Sequence, residues 1–312
     1  MKIGITTFPG TTTDALDQLR DHAEQAAADG FANWWIPQVG LVDALTTFTA
    51  LADVGRSVDG PPMGFGTGVI PIYQRHPTAL AAQALTTAAL LGNRPLILGI
   101  GLSHRPVIEG MLGLSFDRPV RDLIDYLEVL QPLLDTGSVS YAGESYTTHW
   151  EGARPTDRAP SVMVAALGEQ VLRVAGRRTD GTILWMVGRQ TVAAHIAPRL
   201  TEAAEAAGRP APRICCSLPV CVTADPDAVR AAADQAFAIY GQLPSYRAML
   251  DREGAAGPGD VALVGSEEEV AAGLSALASA GVTDFSAAEF GTNRDEFAAT
   301  RALLRDVIRT GA

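Results

Sequence analysis

The sequence predicts an α/β protein, and specifically a (β/α)8 TIM barrel with insertions after helix 4 and after helix 7. Three observations carry that expectation. Short apolar, β-branched runs alternate strictly with longer helical runs, eight times over, in roughly 250 core residues, which is the span of such a barrel. The first strand is not followed by G-x-G-x-x-G, so a doubly wound dinucleotide fold is disfavoured. The two interruptions carry no linker composition and no strong internal repeat is visible, so residues 1–312 are expected to form one domain.

The elements justify themselves in order. Lys2 to Phe8 alternates into a strand, and Asp14 is placed to cap the helix that runs to Asp29. Phe31 to Ile36 is a strand closed by Pro37, Leu41 to Val54 a helix, and Met63 to Ile70 a third strand. His76-Pro77 opens the third helix, because proline's missing N–H costs nothing in the first turn. Leu96 to Gly101 is strand four. Pro119 to Leu134 is helical, with Leu123, Leu127, Leu130 and Leu134 on one face.

Gly137 to His149 reads as a hairpin, since aromatic and β-branched residues flank a glycine turn. Ser161 to Ala166, Gly181 to Val187 and Arg213 to Thr223 are strands five to seven. Helices follow from Gly168 to Arg178, up to Ala207, and from Asp225 to Tyr240. Leu243 to Asp260 is irregular, Ser266 with Glu269 has capping-box spacing, Thr283 to Ala288 is strand eight, and Arg294 to Arg309 is the last helix.

Hydrophobic residues make up 47% of the chain and charged residues 19%, enough apolar surface for a large core. The net charge of −11, with no basic stretch, argues against nucleic acid or an anionic membrane as partner. No apolar run approaches the roughly 18 residues that span a bilayer, and the N-terminus lacks a signal-peptide pattern. Cys215, Cys216 and Cys221 lack metal-site spacing and read as buried thiols in a reduced, cytoplasmic protein.

On a barrel, function gathers at the C-terminal ends of the strands. Those ends supply Phe8, Gln38, Gly68-Val69, Gly101 to His104, Ala165 to Gly168, Trp185-Met186 and Glu289-Phe290. The rim is aromatic, small and mostly neutral. It holds no His/Asp/Glu set with metal-ligand spacing, and the chain has no G-x-S-x-G elbow, so no metal is expected. A rim without an acid–base team fits a cofactor that brings its own chemistry.

Four blocks sharpen this: GTGVIPIYQRHP, LGNRPLILGIGLSHRP, VMVAALGEQVLRVAGRRTDGTILWMVG, and IYGQLPSYRAMLDREG at 239–254. Together they resemble the luciferase-like flavin and deazaflavin oxidoreductases, in particular the actinobacterial-type branch that uses coenzyme F420. The resemblance covers nearly the whole chain. It implies a non-proline cis peptide at Gly68–Val69, with Val69 behind the cofactor ring. It implies that Gln38, Gly101, Leu102, Ser103, His104, Trp185 and Met186 border the cofactor. Ala165, Ala166, Leu167 and Gly168 would hold its phosphate on backbone N–H groups, where a helix N-terminus favours an anion. Glu169 stands where many relatives have proline and puts a negative charge beside that anion.

Phe8, Tyr73, Arg75 and Trp185 are candidates for the substrate pocket, and Trp34 and Trp35 could help to wall it. His104, Gln38 and His76 are candidates for a catalytic role, although Gln38 cannot act as an acid of ordinary strength, and capping or packing would equally explain Arg75 and His76. The implied activity is hydride transfer between coenzyme F420 and a small organic substrate. The alternatives are an FMN-dependent two-component monooxygenase on the same scaffold and a flavin-binding protein without turnover. A homodimer is expected from the resemblance alone.

Overall fold

The computed structural model describes residues 1–56 and 61–311. Eight parallel strands close a barrel: β1 (Lys2–Thr6), β2 (Asn33–Ile36), β3 (Gly64–Thr67), β4 (Leu96–Gly101), β5 (Ser161–Ala165), β6 (Gly181–Trp185), β7 (Arg213–Val222) and β8 (Asp284–Glu289). Each pairs with its sequence neighbour, and β8 returns to β1 in the register Lys2↔Asp284 and Gly4↔Ser286. The outer helices are α1 (Ala15–Ala28), α2 (Ala44–Ala50), α3 (Pro77–Leu91), α4 (Pro119–Thr136), α5 (Glu169–Arg178), α6 (Ala197–Glu205), α7 (Pro226–Ala236), α8 (Pro244–Glu253), α9 (Glu267–Ser279) and α10 (Arg294–Thr310).

Side chains alternate across each strand, so every strand feeds two cores. Outward residues such as Trp34, Phe65, Leu98, Val164, Leu184 and Phe285 join the helices in the large outer core. Inward residues Trp35, Ile97, Met163, Ile183 and Cys215 form a separate cluster inside the barrel, with Val69 packed against it. Trp35 dominates that interior, and glycines make room for it. A methyl group on Gly66 would lie 2.3 Å from Trp35 Cε3, and one on Gly4 would lie 3.1 Å from Trp35 Nε1. The barrel is therefore a packed solid beneath its mouth. At the opposite end, Arg213 donates from Nε and Nη2 to the buried Asp284 carboxylate at 3.1 and 2.7 Å, a bidentate pair spanning β7 and β8.

Several local expectations are corrected. Asp14 sits at the N-cap of α1 but caps no backbone N–H; its carboxylate accepts the Gln18 amide at 2.8 Å instead. Helix α2 is shorter than Leu41 to Val54, because Asp43 accepts the Thr46 N–H at 2.8 Å and fixes the start at Ala44. The helix predicted from Asp225 to Tyr240 breaks at Phe237, with a short turn over Ala238–Gln242 beyond it. The supposedly irregular stretch 243–260 contains α8, with Pro244 at its first position and Gly254, in a left-handed conformation, at its end. Residues that punctuate loops are here the boundaries of a helix.

The hairpin after α4 forms from Ser138–Ala142 and Thr147–Glu151. The capping box at Ser266 and Glu269 also forms. A short strand, Leu263–Gly265, extends the sheet beside Val220–Val222 of β7. Among the described residues no helix is long and apolar enough to cross a membrane.

Candidate functional site at the barrel mouth

The floor of the mouth is made where β3 and β4 end. β3 stops at Thr67, the Gly68–Val69 peptide is cis, and the chain then resumes pairing with β4 in the register Ile70↔Ile100 and Pro71↔Gly101. Glycines on β4 allow this close approach. A methyl on Gly99 would lie 2.0 Å from the Thr67 carbonyl oxygen, and one on Gly101 would lie 2.8 Å from Val69 Cγ2 and 3.2 Å from Ala165 Cβ. Three neighbouring strand ends thus meet in Val69, Gly101 and Ala165, a small, uncharged surface above the packed interior.

Beyond β5 lies the N-terminus of α5. The backbone N–H groups of Gly168, Glu169, Gln170 and Val171 have no acceptor among the described residues, and Gly168 provides no side-chain cap. Space beside Gly168 is clear, since a methyl there would touch nothing within 4 Å. The N-terminus after β6 differs: the Glu253 carboxylate of α8 accepts the N–H groups of Gln190 and Thr191 at 3.0 and 2.7 Å. One of these two adjacent helix ends is already filled by an anion, and the other is free to take one.

The α5 loop is held from behind. His195 donates from Nε2 to the Leu167 carbonyl at 2.8 Å, while its Nδ1 is buried without a partner. Burial lowers the His195 pKa, so the ring stays neutral near pH 7. It lies in a π-helical turn, Val192–Ile196, that leads into α6.

An aromatic wall covers the other side of the mouth. Phe8 meets Trp185 edge-on at 5.7 Å, Trp185 meets Phe237 at 5.5 Å and Tyr240 at 6.0 Å, Tyr240 meets Tyr246 at 4.8 Å, and Tyr246 meets His104 at 5.6 Å. The Trp185 indole N–H is buried and finds no acceptor among the described residues. Burial lowers the His104 pKa as well. Ser103 and Met186, with φ of 59° and 54°, are the non-glycine residues in the left-handed region among the described residues, and both lie just past strand ends of the mouth. Such conformations cost about 1–3 kcal/mol and gather at working surfaces.

Four candidates from the sequence lie together away from this wall, in a polar lattice around the starts of α2, α3 and α4. Gln38 donates to the Val42 carbonyl at 3.0 Å and accepts from the Ala44 N–H at 3.0 Å and Arg75 at 3.1 Å, although its own N–H reaches the Val69 carbonyl at 3.4 Å. Arg75 is ion-paired with Asp43 and also bonds Gln83. His76 Nδ1 accepts the Thr78 N–H at 3.3 Å, and Tyr73 donates to Asp122 at 2.8 Å. These bonds hold helices and loops in place. Trp34 and Trp35 are both buried, the first donating to Thr7 in the outer core and the second inside the barrel.

Sequence reasoning missed two features. The first is a hydroxyl chain on β1, β7 and β8: Thr6 and Ser286 hydroxyls lie 2.7 Å apart, and Ser217 donates to the Ser286 carbonyl at 2.7 Å. Their inward register, two residues above Gly4, Cys215 and Asp284, was the available signal. The second is the contribution of Phe237, Tyr240 and Tyr246, which only the insertion's packing brings to the mouth.

The residues present fit a flavin-like cofactor: Val69, Gly101 and Ala165 leave a bare floor for a flat ring, and the free N–H groups at 168–171 suit a phosphate. Among the described residues no His/Cys/Asp/Glu cluster could hold a metal ion. The fold and mouth are those of a (β/α)8 barrel with a bare floor and a free helix end at its C-terminal face. Residues 1–284 match the luciferase-like monooxygenase family, and the chain belongs to it.

Among its relatives, the F420-dependent hydroxymycolic acid dehydrogenase of Mycobacterium tuberculosis is 31% identical over 204 residues, 62% of this chain and 55% of that protein. The coenzyme F420-dependent tetrahydromethanopterin reductase of Methanopyrus kandleri superposes with a TM-score of 0.77 at 20% identity, covering 99% of this chain and 97% of that one. The oxygenating constituent of 3,6-diketocamphane monooxygenase of Pseudomonas putida, in complex with FMN, superposes with a TM-score of 0.75 at 18% identity over 99% and 97%. At those identities the two structures speak for the fold.

Proposed function

We propose that this protein is a deazaflavin-dependent oxidoreductase that moves a hydride between coenzyme F420 and an organic substrate. The observation that carries the reading is the pairing of a bare floor at Val69, Gly101 and Ala165 with an anion-accepting helix end at 168–171. The F420-dependent relative supports the choice of cofactor. When bound, the cofactor would give or take a hydride, one proton with its electron pair, so that it is oxidised as the substrate is reduced, or the reverse.

The chain's own residues then position and shield. Val69 backs one face of the ring, and the N–H groups at 168–171 bind the phosphate. Phe8, Trp185, Phe237, Tyr240 and Tyr246 exclude water from the face where substrate enters. His104, kept neutral by burial, accepts or donates one hydrogen bond at the substrate.

Fluorescence titration of the purified protein with F420 and with FMN tests the reading. Saturable F420 binding, followed by oxidation of bound reduced F420 on adding a substrate, is expected. Binding of FMN without binding of F420 would move the assignment to the FMN-dependent monooxygenases. Tight binding of F420 without turnover of any substrate would point to a carrier.

A further inference from the structure

The helix end that would hold the phosphate begins with an acidic residue, and the structure fixes that residue in place. Glu169, the first residue of α5, is paired with Arg199 Nε at 2.8 Å. Arg199 is anchored in turn, its Nη1 donating to the carbonyls of Ala194 and His195 at 3.4 and 3.3 Å. The charged and titratable groups that face Glu169 are Arg199 of α6, His195 of the turn before it, and Arg252 of α8, which acts at longer range. Glu169 and Arg199 cancel as a pair. What remains for an incoming anion is the partial positive charge of the helix end, about half an elementary charge. That suffices for one negative charge and is poorly matched to two.

We infer that Glu169 is a specificity residue that biases this helix end toward a singly charged phosphodiester, as in coenzyme F420, and against a doubly charged phosphomonoester, as in FMN. The inference rests on the reading of α5 as the phosphate seat. A phosphomonoester carries about −1.5 to −2 at pH 7 because its second pKa is near 6, whereas a diester stays at −1. Because Glu169 neutralises Arg199, the seat withholds the attraction an unpaired Arg199 would offer, and that attraction scales with the charge of the anion. Proline at this position would lack the carboxylate; glutamate instead makes the seat discriminating.

The test is equilibrium fluorescence titration of wild type and Glu169→Gln with F420, FMN and riboflavin, at about pH 7.5 and about pH 5. At pH 7.5 Glu169→Gln tightens FMN about threefold, the size expected of a solvent-exposed charge interaction, with less effect on F420 and none on phosphate-free riboflavin. At pH 5 FMN is largely a monoanion, so the gain for FMN falls to that for F420. Glu169 remains ionised there, because the Arg199 hydrogen bond holds its pKa below the ordinary glutamate value. Glu169 itself raises the His195 pKa, so the variant makes His195 less cationic at pH 5; the F420 arm at that pH, where both phosphates are monoanions, carries the same change.

Equal gains for FMN and F420 at pH 7.5, no gain for either, or a gain that extends to riboflavin would overturn the inference. Failure of wild type to bind F420 would instead sink the cofactor proposal, while the FMN-to-riboflavin comparison would still read the effect of Glu169. Failure to bind all three would end both.

Discussion

Gly101→Ala probes the floor of the mouth directly. The added methyl would sit 2.8 Å from Val69 Cγ2 and 3.2 Å from Ala165 Cβ, against an ordinary carbon–carbon contact of about 3.5–4.0 Å. The neighbours must therefore yield by roughly 0.7 Å or more, and the Val69 side chain is the part that can move. Overpacking of this kind costs about 1–3 kcal/mol, a fall in Tm of a few degrees for a chain of this size. The displaced Val69 also rises into the space proposed for the ring, so the dissociation constant for F420 increases about tenfold or more, equivalent to about 1.4 kcal/mol.

Gly99→Ala is the matched control. Its methyl would lie 2.0 Å from a backbone carbonyl, which cannot rotate aside, so it is the more destabilising change. Thermal unfolding followed by circular dichroism, together with cofactor titration, reads both quantities. If Gly101→Ala left F420 affinity and Tm unchanged, Val69 would not be the floor. If Gly99→Ala were as mild as Gly101→Ala, the packing argument for both glycines would fail.

Three further outcomes are expected. Arg213→Ala leaves the buried Asp284 carboxylate unpaired, which costs about 3–5 kcal/mol and lowers Tm by about 6–10 °C; a shift below 2 °C in a melt would contradict the pairing. His104 and His195 have pKa values lowered by burial, so the folded state holds them neutral. Their contribution is complete above the unfolded value of about 6.5 and is lost as pH falls below it. The drop in Tm between pH 7.5 and 5.5 should shrink in His195→Gln, whose amide can still reach Leu167, and an unchanged drop would refute the assignment. Burial pushes Cys216 up to about 12 and Cys221 up to about 11, and raises Cys215 as well. Native protein at pH 8 should therefore resist iodoacetamide as judged by mass spectrometry, and rapid labelling of any of the three would show the interior to be accessible.

The barrel was legible because strand and helix periods differ, and eight alternations leave few other architectures. The floor was legible because glycine recurs at 66, 68, 99 and 101, where a backbone must approach something closely. Side-chain allegiance was not legible. Gln38, Arg75 and His76 sit at strand and helix ends where either a site or a cap would place polar residues, and only hydrogen-bond partners distinguish the two. Trp34 and Trp35 are adjacent in sequence, yet alternation sends one outward to α2 and the other into the barrel. The stretch 243–260 misled because proline and glycine flank α8 rather than interrupt it.

The latch at Glu253 has a consequence for how this protein can diversify. α8 grips the barrel through one carboxylate on two backbone N–H groups, joined by the Thr191 hydroxyl donating to the Met249 carbonyl at 3.2 Å, and Gly188 leaves the room it needs, since a methyl there would lie 2.3 Å from Glu253 Cδ. Tyr246, on that helix, and Tyr240 and Phe237, just before it, supply three of the six rings of the aromatic wall. The floor comes from β3, β4 and β5, on separate stretches of chain. Under the proposed function, changes in residues 226–261 would therefore retune which molecule is admitted, while the surface proposed for the cofactor is left intact.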